Sequence, residues 1–308
     1  MRSHLDHLPD KQQAELARVR TILFEEFDRA LNRGGGGTQP WRRNGRILKL
    51  ILFGSYARSD WVDEPQNGYQ SDFDLLVVVN STKLTDVADY WYVAEDRILH
   101  DPSIERTVNI IVHDLADVNA AARRGEYFWA DLLRDGISLY ELPGYPIASP
   151  SLPSPKTALA AAEAHRRRWD DRIDEAIEGA SFYLSRRNLS DAAFLLHQAV
   201  ERAYVCALLV HTNYAPRSHN IKFLRSLAEG LDPALIDAWP RLHRDERRRF
   251  ELLKRAYVDA RYSDQFEISN DDLVWLMDAA QRLQVAVATS SEGRIARLRA
   301  LAEAAEGD

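Results

Sequence analysis

Leu52-Phe53-Gly54-Ser55-Tyr56-Ala57-Arg58 and, further on, Ser71-Asp72-Phe73-Asp74-Leu75-Leu76-Val77-Val78-Val79 decide how the first half of this chain is read. The first segment closes an apolar run, Ile47 to Phe53, bounded by Gly45 and Gly54. A run of that length between two glycines predicts a buried strand. Leu75 to Val79 predicts a second, rich in β-branched residues. Asp72 and Asp74 stand at its beginning. Two positions apart on a strand, they point to the same face. With no Lys or Arg in the segment, the two carboxylates repel unless a cation lies between them. Ligation by oxygen alone favours Mg²⁺ or Mn²⁺. Charges so placed imply a sheet edge, where solvent or function tolerates them. Gly54 lets a phosphate approach the backbone, and Ser55 offers a hydroxyl and a backbone donor. A helix starting there favours an anion, and Arg58, one turn on, adds a positive charge. Asp-x-Asp and Gly-Ser are each ordinary loop pieces. Their order, each beside a hydrophobic strand, carries the reading.

Outward from this core, Thr107 to Val112 predicts a third strand. Leu16, Val19, Leu23, Phe27 and Leu31 recur at helical spacing over residues 11–31. Gly34-Gly35-Gly36-Gly37 then reads as a flexible loop. Further helices are expected at 85–99, 114–123 and 126–134. Leu142-Pro143-Gly144-Tyr145-Pro146, with Pro150, Pro153 and Pro155 behind it, reads as a linker, because proline removes backbone donors and blocks helix. Beyond it only helical spacing appears: Trp169, Ile173, Ile177, Ala180, Leu184, then Ala193, His197, Val200, Tyr204, Leu208. More helices are expected at 220–229, 241–260 and 271–288. Residues 291–308 read as an exposed helix or a frayed tail. The expected fold class is α+β: a small mixed sheet with flanking helices, followed by an all-α bundle. The domains are 1–142, a linker over 143–155, and 156–308.

Composition sets bounds. An apolar fraction of 45% and a charged fraction of 28% over 308 residues are those of a globular protein. No stretch approaches ~18 uninterrupted apolar residues, so no membrane span is expected. Met1 to Asp10 lacks the apolar core of a secretory signal. The single cysteine, Cys206, cannot form an internal disulfide, which fits a cytoplasmic location. A net charge of −7 argues against a dedicated nucleic-acid binder.

The segments LFGSYARSDW and SDFDLLVVV resemble the minimal nucleotidyltransferases of the DNA-polymerase-β-like superfamily, over roughly residues 45–140. That resemblance implies a mixed-sheet transferase domain. Gly54 and Ser55 would hold the triphosphate of ATP or another NTP. Asp72 and Asp74 would bind the Mg²⁺ or Mn²⁺ ions that activate an attacking hydroxyl and neutralise the pyrophosphate, with attack on the α-phosphorus. The chain departs from the pattern twice. Its spacer, residues 56–71, is longer than usual and is expected to form a loop over the site. The position of the third carboxylate, on the strand Thr107 to Val112, holds Asn109. Asparagine ligates weakly and cannot act as a general base. Glu105 lies on the same face if the strand extends back that far, and Asp114 lies beyond it on the opposite parity.

In the helical half, Phe194 to Tyr204, Pro216-Arg217-Ser218-His219-Asn220 and Ala260-Arg261-Tyr262 resemble HEPN domains, over roughly residues 160–290. Many HEPN proteins are ribonucleases with Arg, four to six residues, then His. Arg202 and His211 lie too far apart for that motif, and Arg241 and His243 too close. His197, on an apolar helix face, reads as a core histidine. His219 is expected to be exposed in a loop. The run Arg241, Arg244, Arg247, Arg248, Arg249, Lys254 and Arg255 reads as a solvated helix surface, with a basic wall for phosphate as its functional counterpart.

Three functions follow. The first is a Mg²⁺-dependent nucleotidyltransferase, moving a nucleoside monophosphate from an NTP to a hydroxyl of a small molecule, a protein tyrosine or an RNA end. The second is a catalytically impaired nucleotide-binding regulator, which Asn109 favours. The third is a HEPN ribonuclease controlled by its fused transferase domain. A homodimer is the expected assembly.

Overall fold

The computed structural model describes residues 1–33, 39–64, 69–263 and 265–306. The Gly34 to Gly37 loop and Gly68 of the spacer lie outside the described residues. The chain forms two compact units, Met1–Leu152 and Pro153–Asp308. The first is a mixed four-stranded sheet with flanking helices, and the second is helical, so the fold class is α+β.

The first unit is built on β1 (Ile47–Phe53), a small hairpin of β2 (Asp63–Glu64) and β3 (Tyr69–Gln70), β4 (Phe73–Val79), β5 (Val108–Asp114) and β6 (Ile137–Glu141). The sheet order is β5-β4-β1-β6. β1 runs antiparallel to both β4 and β6, and β4 runs parallel to β5. Every residue of β1 and β4 is buried, which is why these strands read as continuous apolar runs. β1 also buries Lys49, whose Nζ donates to the Glu141 carboxylate on β6. The long parallel crossover from β4 to β5 holds a 3₁₀ turn and two short helices.

The helices of this unit are α1 (Asp10–Asn32), α2 (Pro40–Arg43), α3 (Ser55–Arg58), α4 (Val87–Tyr90), α5 (Tyr92–Leu99), α6 (Leu115–Arg124) and α7 (Tyr127–Asp135). Strand alternation gives the sheet two different faces. Leu50, Leu52, Phe73, Leu75, Val77 and Val79 share one face and join a single core with Val19, Leu23 and Phe27 of α1 and Trp91 and Ala94 of the crossover. The indole Nε1 of Trp91 donates to the Leu84 carbonyl, so a large aromatic is buried with its one donor satisfied. The opposite face presents Phe53, Asp74 and Asn109 and is flanked by Phe128 and Trp129 of α7. After β6 the chain stays attached to α6. The amide of Ala148 donates to Asn119 Oδ1, and that of Ser151 to the Ala122 carbonyl.

The second unit holds α8 (Pro155–Ser185), α9 (Leu189–Thr212), α10 (Ile221–Leu231), α11 (Arg244–Tyr262) and α12 (Asn270–Glu306). Each start has a local cause. Ser154 accepts from the Thr157 amide with Pro155 in the first turn, and Asn188 and Asn220 cap α9 and α10 through their side-chain oxygens. Of the two readings of the stretch from residue 291, the helix holds and the frayed tail does not: through Glu306 it continues the helix of residues 271–288, unbroken across Thr289 to Gly293. Ser291 is fully buried, Ser290 bonds to Asp232, and Leu298 is buried. α9 is long and apolar enough to cross a membrane by length and composition, but 61% of that window is buried within the protein. It is the central helix of a helical core, and its Cys206 thiol is pushed up to about 12 by burial.

Candidate functional site

The end of β4 places the carboxylate pair. Asp72 immediately precedes the strand, and Asp74 is its second residue. Both are buried, at 7% and 5% exposure, and β4 is flanked by β5 and β1. The charges therefore sit at the mouth of an interior strand, not at a sheet edge as expected. Such burial of like charges is costly without compensating donors or a cation.

Register supplies one of those donors. Asp74 stands opposite Asn109 in the parallel β4–β5 pair and opposite Phe53 in the β1–β4 pair. Asn109 Nδ2 donates to Asp74 Oδ1 at 3.0 Å and approaches Asp72 Oδ2 at 3.4 Å. One amide thus bridges the two carboxylates from the position where a third acid was sought. Gly54 follows Phe53 and closes the other side. Its backbone has φ 74° and ψ −152°, a region that only glycine occupies readily. A Cβ built there would lie 2.4 Å from Asp74 Oδ2. Glycine is required at this position both by its own conformation and by the carboxylate against it.

Ser55 opens α3, a single turn of four residues, so the dipole of a long helix is missing and the local donors are backbone amides. Arg58 ends that turn and pairs with Asp60 in an exposed ion pair, Nε to Oδ2 at 3.0 Å. Glu105 is not beside the carboxylates in the strand. β5 begins only at Val108, and the Glu105 carboxylate pairs in solvent with Lys11. Asp114, at the far end of β5, caps α6 and accepts from Thr82. Among the described residues no cluster of three or more His, Cys, Asp or Glu side chains could hold a metal. The groups gathered at this point are the carboxylates of Asp72 and Asp74 and the amide of Asn109. Two carboxylates suit one Mg²⁺, which ordinarily keeps waters and phosphate oxygens in its remaining positions.

Sequence reading missed a second feature of this region. The spacer is not a bare loop. Trp61 stacks on Tyr56 with ring centroids 5.5 Å apart, and β2 and β3 form a hairpin. Asp63 of that hairpin meets Arg106, a buried guanidinium two residues before β5. Arg106 donates from Nη2 to Asp63, from Nη1 to Glu15 of α1, and from Nε to the Tyr56 hydroxyl at 2.7 Å. Burial opposes ionisation of Asp63, but hydrogen bonds from Gln70 and Arg106 outweigh it and hold its carboxyl below the usual range. Burial likewise pushes the Tyr56 phenol up. No local pattern around Arg106 announces this node, because its partners come from three separate segments.

In the second unit, Phe194, His197 and Glu201 lie along one face of α9, against Tyr257 and Arg261 of α11. His219, exposed in the loop before α10, stacks on Tyr257 at 4.3 Å and bonds through Nδ1 to Glu201 at 3.0 Å. The Arg261 guanidinium stands 4.7 Å from the ring centres of both Phe194 and Tyr257. His197 beneath them is fully buried, with Nδ1 3.8 Å from Glu201 Oε2, and burial lowers its pKa to about 4. It is a neutral core residue at ordinary pH. The basic run from Arg241 into α11 is largely paired: Arg248 and Arg249 bind Asp272, Arg241, ahead of the helix, binds Glu229, Arg255 binds Asp259, and Arg247 binds backbone carbonyls. Those pairings leave a structured surface and not an open basic wall.

Residues 167–289 match the family model of the HEPN domain. No curated protein matches the chain. The second unit therefore contains a HEPN domain, as the resemblance of its helical motifs implied.

Proposed function

We propose that residues 1–152 bind a magnesium-complexed nucleoside triphosphate in a site of the nucleotidyltransferase type, and that this site is built more for holding the nucleotide than for transferring it. The observation that carries the reading is the Asp72–Asn109–Asp74 set, with Gly54 against Asp74. The two carboxylates are the oxygen ligands a single Mg²⁺ needs from protein. The Gly54-Ser55 turn offers a side-chain-free approach for the triphosphate. Bound metal would neutralise phosphate charge and the buried carboxylates at once. Asn109 holds both carboxylates in place but has no basic oxygen with which to deprotonate an acceptor hydroxyl. Nucleotidyl transfer to such a hydroxyl, from ATP or another NTP, is the chemistry a completed site of this type performs.

Asp74→Asn tests the metal directly. The variant keeps the volume and the strand, so the fold should persist, while Mg²⁺-dependent ATP affinity falls below detection in calorimetry. Equal affinity for Mg²⁺·ATP in wild type and variant would remove the assignment.

A second reading rests on the HEPN match, whose family includes ribonucleases. Against it, the helical unit lacks the Arg and His spacing of that group, and His197 is buried and neutral. Incubation of the full chain with single-stranded RNA in EDTA should leave the RNA intact. Cleavage lost in His219→Ala would reinstate the ribonuclease reading.

A further inference from the structure

We infer that Arg106 is a positioning residue that sets the spacing between the Gly54-Ser55 turn and the Asp72/Asp74 pair; the inference rests on the nucleotide-site reading above. The two halves of the signature are separated by residues 56–71, and a long spacer by itself does not fix their separation. Arg106 reaches both halves. Its Nε holds the hydroxyl of Tyr56, the residue directly after Ser55. Its Nη2 holds Asp63, which in turn accepts from Gln70 Nε2 at 3.0 Å, two residues before Asp72. Its Nη1 is fixed on Glu15 of α1, so the guanidinium itself cannot drift. Asn109 lies three residues downstream on the same chain segment.

The surroundings show that this geometry is held firmly. Arg106 is 5% exposed, and its guanidinium lies 6.0 Å from the Tyr56 ring centre and 5.7 Å from that of Phe73, the residue between the two aspartates. Gln12 of α1 adds a further bond to Asp63. A planar group with several fixed donors suits this task, and lysine, with one point charge, cannot engage three partners in the same directions. Residues that orient ligating groups through hydrogen bonds change metal affinity by about 10–100-fold when removed.

The test compares Mn²⁺·ATP affinity by calorimetry for the wild-type full chain, Tyr56→Phe, Asp63→Asn and Arg106→Lys, all at a temperature where each is folded. Phe27→Leu, a cavity variant near the end of α1 far from Glu15, where the ring packs on Trp91, controls for general loss of stability. Tyr56→Phe and Asp63→Asn should each weaken Mn²⁺·ATP about tenfold, and Arg106→Lys more, while Phe27→Leu binds like wild type despite a lowered melting temperature. If wild type binds and Tyr56→Phe and Asp63→Asn bind equally well, the positioning role is overturned. If Phe27→Leu weakens binding as much as they do, the effect is one of stability and the role is again overturned. If wild type does not bind, the nucleotide reading itself fails, and this inference fails with it.

Discussion

Gly54→Val should abolish measurable binding of Mg²⁺·ATP, and Gly54→Ala should come close to doing the same. The expectation follows from geometry rather than side-chain size. The first added carbon falls 2.4 Å from Asp74 Oδ2, with the Asp74 Cγ at 3.3 Å, so even a methyl group must displace the carboxylate. The Gly54 backbone, at φ 74° and ψ −152°, adds strain of about 1–3 kcal/mol for any residue with a Cβ. Relief of either conflict moves Asp74 away from Asn109 or tilts the turn that carries Ser55. A fall in affinity of about 100-fold or more is expected for valine, at the upper end for disturbance of groups around a ligand set. Calorimetry at a temperature where circular dichroism shows both variants folded is the check. Wild-type affinity in Gly54→Ala would mean that neither the turn nor Asp74 touches the nucleotide.

The parts of this fold that were legible in sequence are those where burial is uniform. β1 and β4 are covered on both faces, so an unbroken apolar run marks them. Asp74, at the strand mouth, interrupts the pattern and for that reason stands out. The parity of Asn109 was legible as well, since the strand from 107 to 112 alternates faces. β6 was missed because Ile-Ser-Leu-Tyr-Glu is a short outer strand of mixed burial, and five residues give too brief an alternation to mark it. The continuity of α12 was hidden by Thr289-Ser290-Ser291-Glu292-Gly293, a sequence that locally favours a break. Burial of Ser291 and the bond from Ser290 to Asp232 override that preference. The spacer hairpin and the Arg106 node depend on α1, residues 55–70 and the entry to β5 meeting in space. No spacing within one segment encodes that meeting.

The HEPN match over 167–289 and the Asp72–Asn109–Asp74 set bear on different units, and each constrains what the other needs to do. A transferase site with a full set of acids would be an enzyme whatever followed it in the chain. On the proposed reading, a site whose third acid is an amide keeps two carboxylates for a cation and a glycine turn for a triphosphate but lacks a base for transfer.

Asn109→Asp is the substitution that separates binding from chemistry, and it should have two large effects. Wild-type Asn109 donates to both carboxylates. An aspartate there removes that donor and puts a third carboxylate opposite Asp74 in the register. Three carboxylates so close can coexist only with a proton or a cation among them. Without metal, the variant should therefore melt well below wild type, and lowering the pH should recover part of the loss. The sign follows from linkage: a carboxyl whose pKa is raised on folding contributes its full stability below its unfolded pKa, and that contribution is lost as pH rises through the folded pKa. With Mg²⁺ or Mn²⁺ the variant should gain more thermal stability than wild type, because metal binds only the folded site. The second effect is on rate. A carboxylate able to accept the proton of an attacking hydroxyl is worth about 10²–10⁴-fold. Pyrophosphate release from ATP, with a hydroxyl acceptor or water attacking the α-phosphorus, should rise by an amount of that order. Rapid release already present in wild type, and unchanged in Asn109→Asp, would show that the base lies elsewhere and that the first unit is a competent transferase as it stands. Metal stabilisation no greater in the variant than in wild type would place the cation away from Asp72, Asp74 and residue 109, and would remove the site on which both readings rest.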